Sequence, residues 1–224
     1  MGVVAENIQQ VRDRIERAAS RSGRNPNEIT LVAVSKTVSL PAIQEAIAAG
    51  ITDLGENYVQ EALPKVDALP NVRWHFIGHL QSNKARQVAG RFVLVQSVDS
   101  AKLAHELGRR AIASGQIQPV LIEVNLDPAS AKTGAHFETV SDLIDAVATT
   151  DGLTLQGVMG IPPVGSAEDA RPHFARLRQV FEQLPTENRK WLSMGMTNDF
   201  EVAIEEGANM VRVGSAIFGH RSSL

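Results

Sequence analysis

The chain has 224 residues, 43% apolar and 21% charged, ordinary proportions for a globular protein with room for a sizeable core. A net charge of −3 and an aromatic content of 4% argue against nucleic acid or an anionic membrane surface as the main partner. The absence of cysteine excludes disulfides, thiolate metal sites and cysteine nucleophiles. The opening MGVVAENIQQVRDRIERAA has no long apolar core, so it does not read as a signal peptide; no apolar run approaches a membrane span, and the expected location is the cytoplasm.

Residues 3–22 read as a helix, with Val4, Ile8, Val11, Ile15 and Ala18 at helical spacing and a mixed Arg/acid face expected to be solvated. Gly23 ends it and Asn25-Pro26 makes a turn. Apolar runs then fall at 30–35, 52–55, 73–77, 92–96, 120–125, 154–159, 191–194 and 209–213. Helical patterns separate them, at about 40–49, 58–68, 83–88, 101–114, 137–149, 167–184 and 198–206. Ser39, Ser82, Ser100 and Thr197 are candidate N-caps, and Ser166 with Asp169 resembles an acidic capping box. Gly50, Gly115 and Gly207 are candidate C′ residues, while Pro172 delays or kinks its helix. Eight strands and seven intervening helices after an extra N-terminal helix are the count of a (β/α)8 TIM barrel, α/β in class, and residues 1–224 read as a single domain. An open doubly wound sheet is the alternative; it lacks a G-x-G-x-x-G after the first strand.

In a barrel the chemistry lies at the C-terminal ends of the strands. The first run, LVAVSKTV, ends at Lys36. A snorkelling surface lysine is the plain reading. As a nucleophile Lys36 must lose its proton, a shift of about 4 kcal/mol that burial and nearby Arg212 would supply, and such lysines form Schiff bases with aldehydes. Arg212, flanked by Val211 and Val213, faces the opposite side of its strand and pairs either with an internal carboxylate such as Glu123 or with a ligand heteroatom. Gly195 and Thr197 after the seventh strand, with Gly214 and Ser215 after the eighth, form two neighbouring small-residue turns suited to an anion. Each alone reads as a plain turn. A lysine, an anion cup and an arginine on one barrel mouth describe a site for pyridoxal phosphate. Glu123 reads as a charge partner or a base, and Met159, Met194 and Met196 as packing around the mouth. His75 and His79 lack metal-ligand spacing. Lys84, Lys132 and the Gln81–Asn83 turn are solvated positions or secondary anion contacts.

The stretches LVAVSKTV (31–38), LGENYVQEA (54–62), WHFIGHLQSNKA (74–85), LIEVN (121–125), GVMGIPP (157–163) and the long run 192–219 resemble the pyridoxal phosphate homeostasis proteins (the YggS/PROSC family), which look like the N-terminal barrel of alanine racemase standing alone. The resemblance implies pyridoxal 5′-phosphate held by Lys36 as an internal aldimine. It implies phosphate contacts from Ser193, Thr197, Gly214 and Ser215, with Arg212 at the pyridine nitrogen and Asn57 and His79 near the ring. Thr197 replaces the family's usual serine and keeps the hydroxyl. An arginine at the ring nitrogen keeps it unprotonated and weakens the ring as an electron sink. The family's role implies a non-catalytic carrier or regulator of vitamin B6 and amino-acid balance, with PLP-requiring apoenzymes as partners; a monomer is expected, because the racemase-type dimer has no basis without a second domain. A racemase-type catalytic tyrosine is not expected, since Tyr58 lies on the wrong element. A PLP-dependent racemase or lyase of low activity is the alternative, and a barrel binding another phosphate ester is a third.

Overall fold

A computed structural model describes residues 2–127 and 133–219. The first helix, α1 (Val3–Arg21), buries Ile8, Val11, Ile15, Ala18 and Ala19 along one stripe. Arg12, Arg17 and Arg21 stay exposed on the solvated face expected, Arg14 is half-buried, and three of the four also make contacts. Arg14 pairs with Glu201 at 2.9 Å and lies over the Phe200 ring, Arg21 pairs with Glu205, and Arg12 donates to the carbonyls of Ala49 and Gly50. The physical reason is that α1 lies alongside later helices and its polar flank meets their acids and chain ends.

The remaining chain alternates: β1 (Thr30–Val34), α2 (Leu40–Ala48), β2 (Asp53–Glu56), α3 (Val59–Ala68), β3 (Arg73–Phe76), α4 (Ala85–Val88), β4 (Leu94–Val98), α5 (Ala101–Ala113), β5 (Gln118–Asn125), α6 (Val140–Ala148), β6 (Leu153–Ile161), α7 (Ala167–Gln183), β7 (Trp191–Ser193), α8 (Phe200–Glu205), β8 (Met210–Val213) and α9 (Ser215–Phe218). All neighbouring strands are parallel and β8 returns to β1 (Val32 beside Arg212), so the eight strands form a closed barrel. This is the (β/α)8 architecture, not the open sheet.

Several boundaries differ from the sequence pattern. The fourth strand starts two residues later than its apolar run, because Phe92 is used in the loop to stack edge-on against Phe76. Ser100 accepts from the Leu103 N–H, and Ser166 and Asp169 make a reciprocal capping box. Ser39 makes no side-chain cap, Ser82 lies inside a 3₁₀ turn, and Thr197 stands before α8, whose N-cap position is Asp199. Gly50, Gly115 and Gly207 all adopt positive φ at helix ends. Pro172 lies within α7, which begins before it at Ala167.

Alternation along the strands sorts the core into two parts. The larger lies between sheet and helices and contains Val211 and Val213. The smaller, inside the barrel, is formed by Val32, Leu94, Leu121, Met159 and Met210. The strand registers place Asp53, His75, Gln96, Ser193 and Arg212 in the same interior, and all five are buried. Among the described residues no helix is long and apolar enough to cross a membrane.

Candidate functional site

A cavity of about 750 Å³ opens at the C-terminal end of the barrel, between the loops after β1, β6, β7 and β8. It brings together Lys36, Thr197, Arg212, Gly214 and Ser215, five of the eight residues singled out from sequence. Ser193, Asn57 and His79 do not line it. This size and mixed lining suit a small organic ligand.

Lys36 leaves β1 through a turn held from behind. Lys65 on α3 is buried, and its Nζ donates to the Ser35 carbonyl, Glu56 Oε1 and Glu61 Oε1, each at 2.7 Å. Ser35 Oγ donates to Glu56 Oε1 at 2.6 Å, and the Thr37 N–H donates to Glu61. Thr37 itself sits at φ +62°, a left-handed conformation that costs a β-branched residue roughly 1–3 kcal/mol unless its surroundings impose it. The amine-bearing residue is therefore bracketed by two backbone groups pinned to one buried ion cluster. Burial pushes the Glu56 carboxyl up, against the opposing hydrogen bonds from Lys65 and Ser35.

Across the mouth, Arg212 is 3% exposed. Its Nη1 donates to Ser193 Oγ at 2.7 Å and its Nη2 to the Gly160 carbonyl at 3.1 Å. Burial lowers its pKa to about 10, with Asp199 and Glu123 acting in the opposite direction. The internal salt bridge to Glu123 weighed from sequence does not form. Glu123 instead accepts from Thr133 Oγ1 at 2.9 Å, and burial raises its carboxyl. Arg212 thus keeps its charge at neutral pH with only neutral oxygens in direct contact, and part of its residue surface lines the cavity.

The anion-suited side is built from the β7 and β8 turns. Ser215 Oγ donates to Thr197 Oγ1 at 3.2 Å, and the Ala216 N–H approaches the same oxygen at 3.4 Å. Gly195 was expected to admit an anion. Its φ is +93°, and a Cβ there would stand 2.6 Å from Ala203 Cβ and 2.8 Å from Phe200 Cα, so the close approach it allows is to α8. Ser193 is fully buried, its hydroxyl taken by Arg212 on one side and Gln96 on the other.

Asn57 follows β2 and packs its backbone against Gly78. Its Oδ1 is buried and has no hydrogen-bond partner among the described residues, an orphan acceptor of the sort a bound ligand satisfies. His79 is half exposed, with Nδ1 3.3 Å from Asp99 Oδ2. Lys84 reaches Gln60 at 3.3 Å, and Lys132 lies outside the described residues. Three features of the site escaped sequence reading: the wall formed by residues 161–165, the Lys65 cluster, and Asp199, which lines the cavity and accepts from the Met196 N–H at 2.6 Å. The acidic Asp199 beside a cavity was visible in the sequence only as a helix start.

The alanine racemase N-terminal domain family matches residues 6–222. The pyridoxal phosphate homeostasis protein of Pseudomonas aeruginosa is 44% identical over 225 residues, covering 99% of this chain and 97% of the relative. That of Aquifex aeolicus is 41% identical over 222 residues, covering 96% and 97%. Among solved structures, PipY of Synechococcus elongatus with PLP bound superposes with a TM-score of 0.79 at 36% identity, covering 92% of this chain and all of that one. Similarity at this level along the whole barrel makes this protein a member of the pyridoxal phosphate homeostasis family, within the alanine racemase N-terminal domain group.

Proposed function

We propose that the chain binds pyridoxal 5′-phosphate in the barrel-mouth cavity, holds it covalently through Lys36, and serves as a carrier or regulator of the cofactor, not as an enzyme. The observation that carries this reading is one cavity lined together by a lysine, a charged arginine and two hydroxyl-bearing turns. These groups match an aldehyde, a pyridine ring and a phosphate. The PLP bound to PipY and the name shared by the curated relatives support the same ligand. The cofactor, when bound, supplies an electrophilic aldehyde and an electron-withdrawing ring.

Each residue then has a task. The Lys36 amine takes the aldehyde, in a turn fixed by Lys65 and Glu61. Thr197, Gly214 and Ser215 receive the phosphate. Arg212 donates toward the ring nitrogen, and Ser193 acts on the cofactor through Arg212. Asn57 and His79, placed near the ring by the resemblance, stand outside the cavity lining and are given no direct contact. An arginine is a poor acid, so the ring nitrogen stays unprotonated, which disfavours carbanion chemistry and suits storage. His79, an imidazole of the kind that transfers protons, is paired with Asp99 and does not line the cavity. The recipients are PLP-requiring apoenzymes in the cytoplasm, and the working form is a monomer.

The test is to add pyridoxal phosphate to the purified chain, record the visible spectrum, reduce with borohydride and map the modified residue. The expected result is a visible band and an adduct on Lys36. No band, or an adduct elsewhere, overturns the reading. Exchange of an amino-acid α-proton at a catalytic rate would sink the carrier role while leaving the ligand in place.

A further inference from the structure

The interior of the barrel is not simply apolar. Starting from Arg212, four hydrogen bonds run in series down the barrel axis. Arg212 Nη1 donates to Ser193 Oγ at 2.7 Å, and Ser193 Oγ donates to Gln96 Oε1 at 2.6 Å. Gln96 Nε2 lies 3.1 Å from His75 Nδ1, and His75 Nε2 lies 2.7 Å from Asp53 Oδ1. Asp53 is also met by Arg73 Nε at 3.0 Å and Thr52 Oγ1 at 2.8 Å.

The direction of the chain is forced by its first member. Guanidinium has protons to give and no lone pair to receive with, so Ser193 must accept from it. The serine has one proton and spends it on Gln96 Oε1. The amide of Gln96 therefore turns its N–H₂ toward His75, whose Nδ1 accepts, leaving Nε2–H to donate to the carboxylate of Asp53. Every link is a donor pointing away from the mouth, with a cation at one end and an anion at the other. Series bonds of this kind polarise one another, and in a dry interior each fixes the rotamer of the next.

The two ends open to different spaces. Arg212 lines the mouth cavity, and Asp53 lines a second cavity of about 730 Å³ at the opposite end of the barrel, beneath α1. The charges facing Arg212 at the mouth are Asp199 and Glu123, neither of which contacts it directly. Its direct side-chain partners are the Gly160 carbonyl and this chain.

We infer that Asp53, His75 and Gln96 are positioning residues for Arg212: the buried relay sets the orientation of its guanidinium, and the relay's anchor is at the far end of the barrel. In function it extends the reading that Arg212 meets the cofactor ring. It explains why five polar side chains occupy space that a barrel ordinarily fills with branched aliphatics.

The full chain labelled with ¹⁵N, without cofactor, and the same chain loaded with pyridoxal phosphate together provide the test. His75→Phe keeps aromatic volume and cuts the relay; His75→Gln keeps a donor and an acceptor. In the unloaded wild type the Arg212 guanidinium protons should exchange slowly. In His75→Phe they should exchange at least about tenfold faster, with cofactor affinity reduced by a similar factor and the absorbance maximum shifted, while borohydride still places the adduct on Lys36. His75→Gln should restore most of each property. If His75→Phe does not fold, Asp53→Asn, which removes only the terminal charge, should move the same signals in the same direction by less. Folded variants with wild-type Arg212 exchange and a wild-type spectrum overturn the inference. Arg212 exchange that responds in a chain taking up no pyridoxal phosphate upholds the relay and removes the cofactor reading instead.

Discussion

Two buried polar systems flank the cavity, and they are built on opposite plans. Behind Lys36, Lys65 touches Glu56 and Glu61 directly at 2.7 Å, a compact ion cluster between the β1 turn and α3. Below Arg212, cation and carboxylate are separated by three intervening side chains, Ser193, Gln96 and His75. In the first one ammonium meets two carboxyl groups by direct contact, and its effect is mechanical: a backbone turn clamped at Ser35 and Thr37. In the second the charges are kept apart, so Arg212 is oriented without being neutralised by contact. One plan holds the turn that carries Lys36 in place; the other keeps a cation aimed.

The largest effect should come from breaking the compact cluster. Lys65→Met leaves two carboxylates without their buried partner and should cost about 3–5 kcal/mol, read from urea unfolding. A loss below about 1 kcal/mol would show that water reaches the cluster and that the clamp is weak.

The extended system is sharper in its pH dependence. Burial alone would raise the Asp53 carboxyl, but hydrogen bonds from His75, Thr52 and Arg73, with the attraction of a protonated His75, outweigh it and lower its pKa from 3.8 to about 2. A carboxyl depressed on folding adds stability that is complete above its unfolded pKa and is lost as pH falls through the folded one. Asp53→Asn should therefore lose about 2 kcal/mol at neutral pH and abolish the part of the acid transition between about pH 4 and pH 2 that belongs to this group. Thermal unfolding of both proteins at stepped pH checks it; parallel curves would exclude the assignment.

A smaller term tests whether the clamp works against strain. Glu61→Ala releases the Thr37 N–H, and Thr37→Gly removes the penalty of φ +62°. Combined, the two should be less damaging than their sum by about 1 kcal/mol. Strict additivity would mean that Glu61 does not hold the turn. The smallest change, distant from both systems, is Ser166→Ala, which opens the α7 capping box and should cost about 1 kcal/mol or less without altering pyridoxal phosphate uptake.

The barrel was legible because its strands are short apolar runs with regular helical patterns between them, and its mouth because polar residues directly follow those runs. Lys36, Thr197, Arg212, Gly214 and Ser215 fall together for that reason. What alternation cannot reveal is which inward residues touch across the barrel. His75 drew notice only as half of a failed metal spacing, Gln96 as a strand end, and Asp53 not at all, although together they form the relay. Lys65 was hidden differently: on a helix with mixed charges a lysine reads as solvated, and only the return of α3 over the β1 turn buries it. Ser193 was assigned to the phosphate from the resemblance, whereas both sides of its hydroxyl are engaged inside the barrel.

Closure of the barrel has a kinetic consequence. The pairing of β1 with β8 joins segments far apart in sequence, Thr30 with Met210 and Ala33 with Val213. Contacts of such separation are expected late in folding, because the entropy of closing a long loop must be met before they are rewarded. Lys36 and the Gly214–Ser215 turn stand on the two sides of that last seam. A nascent or partly folded chain therefore has no cavity, and the capacity to take up ligand arises together with the final strand pairing. Ligand uptake measured during refolding becomes a clock for the seam itself.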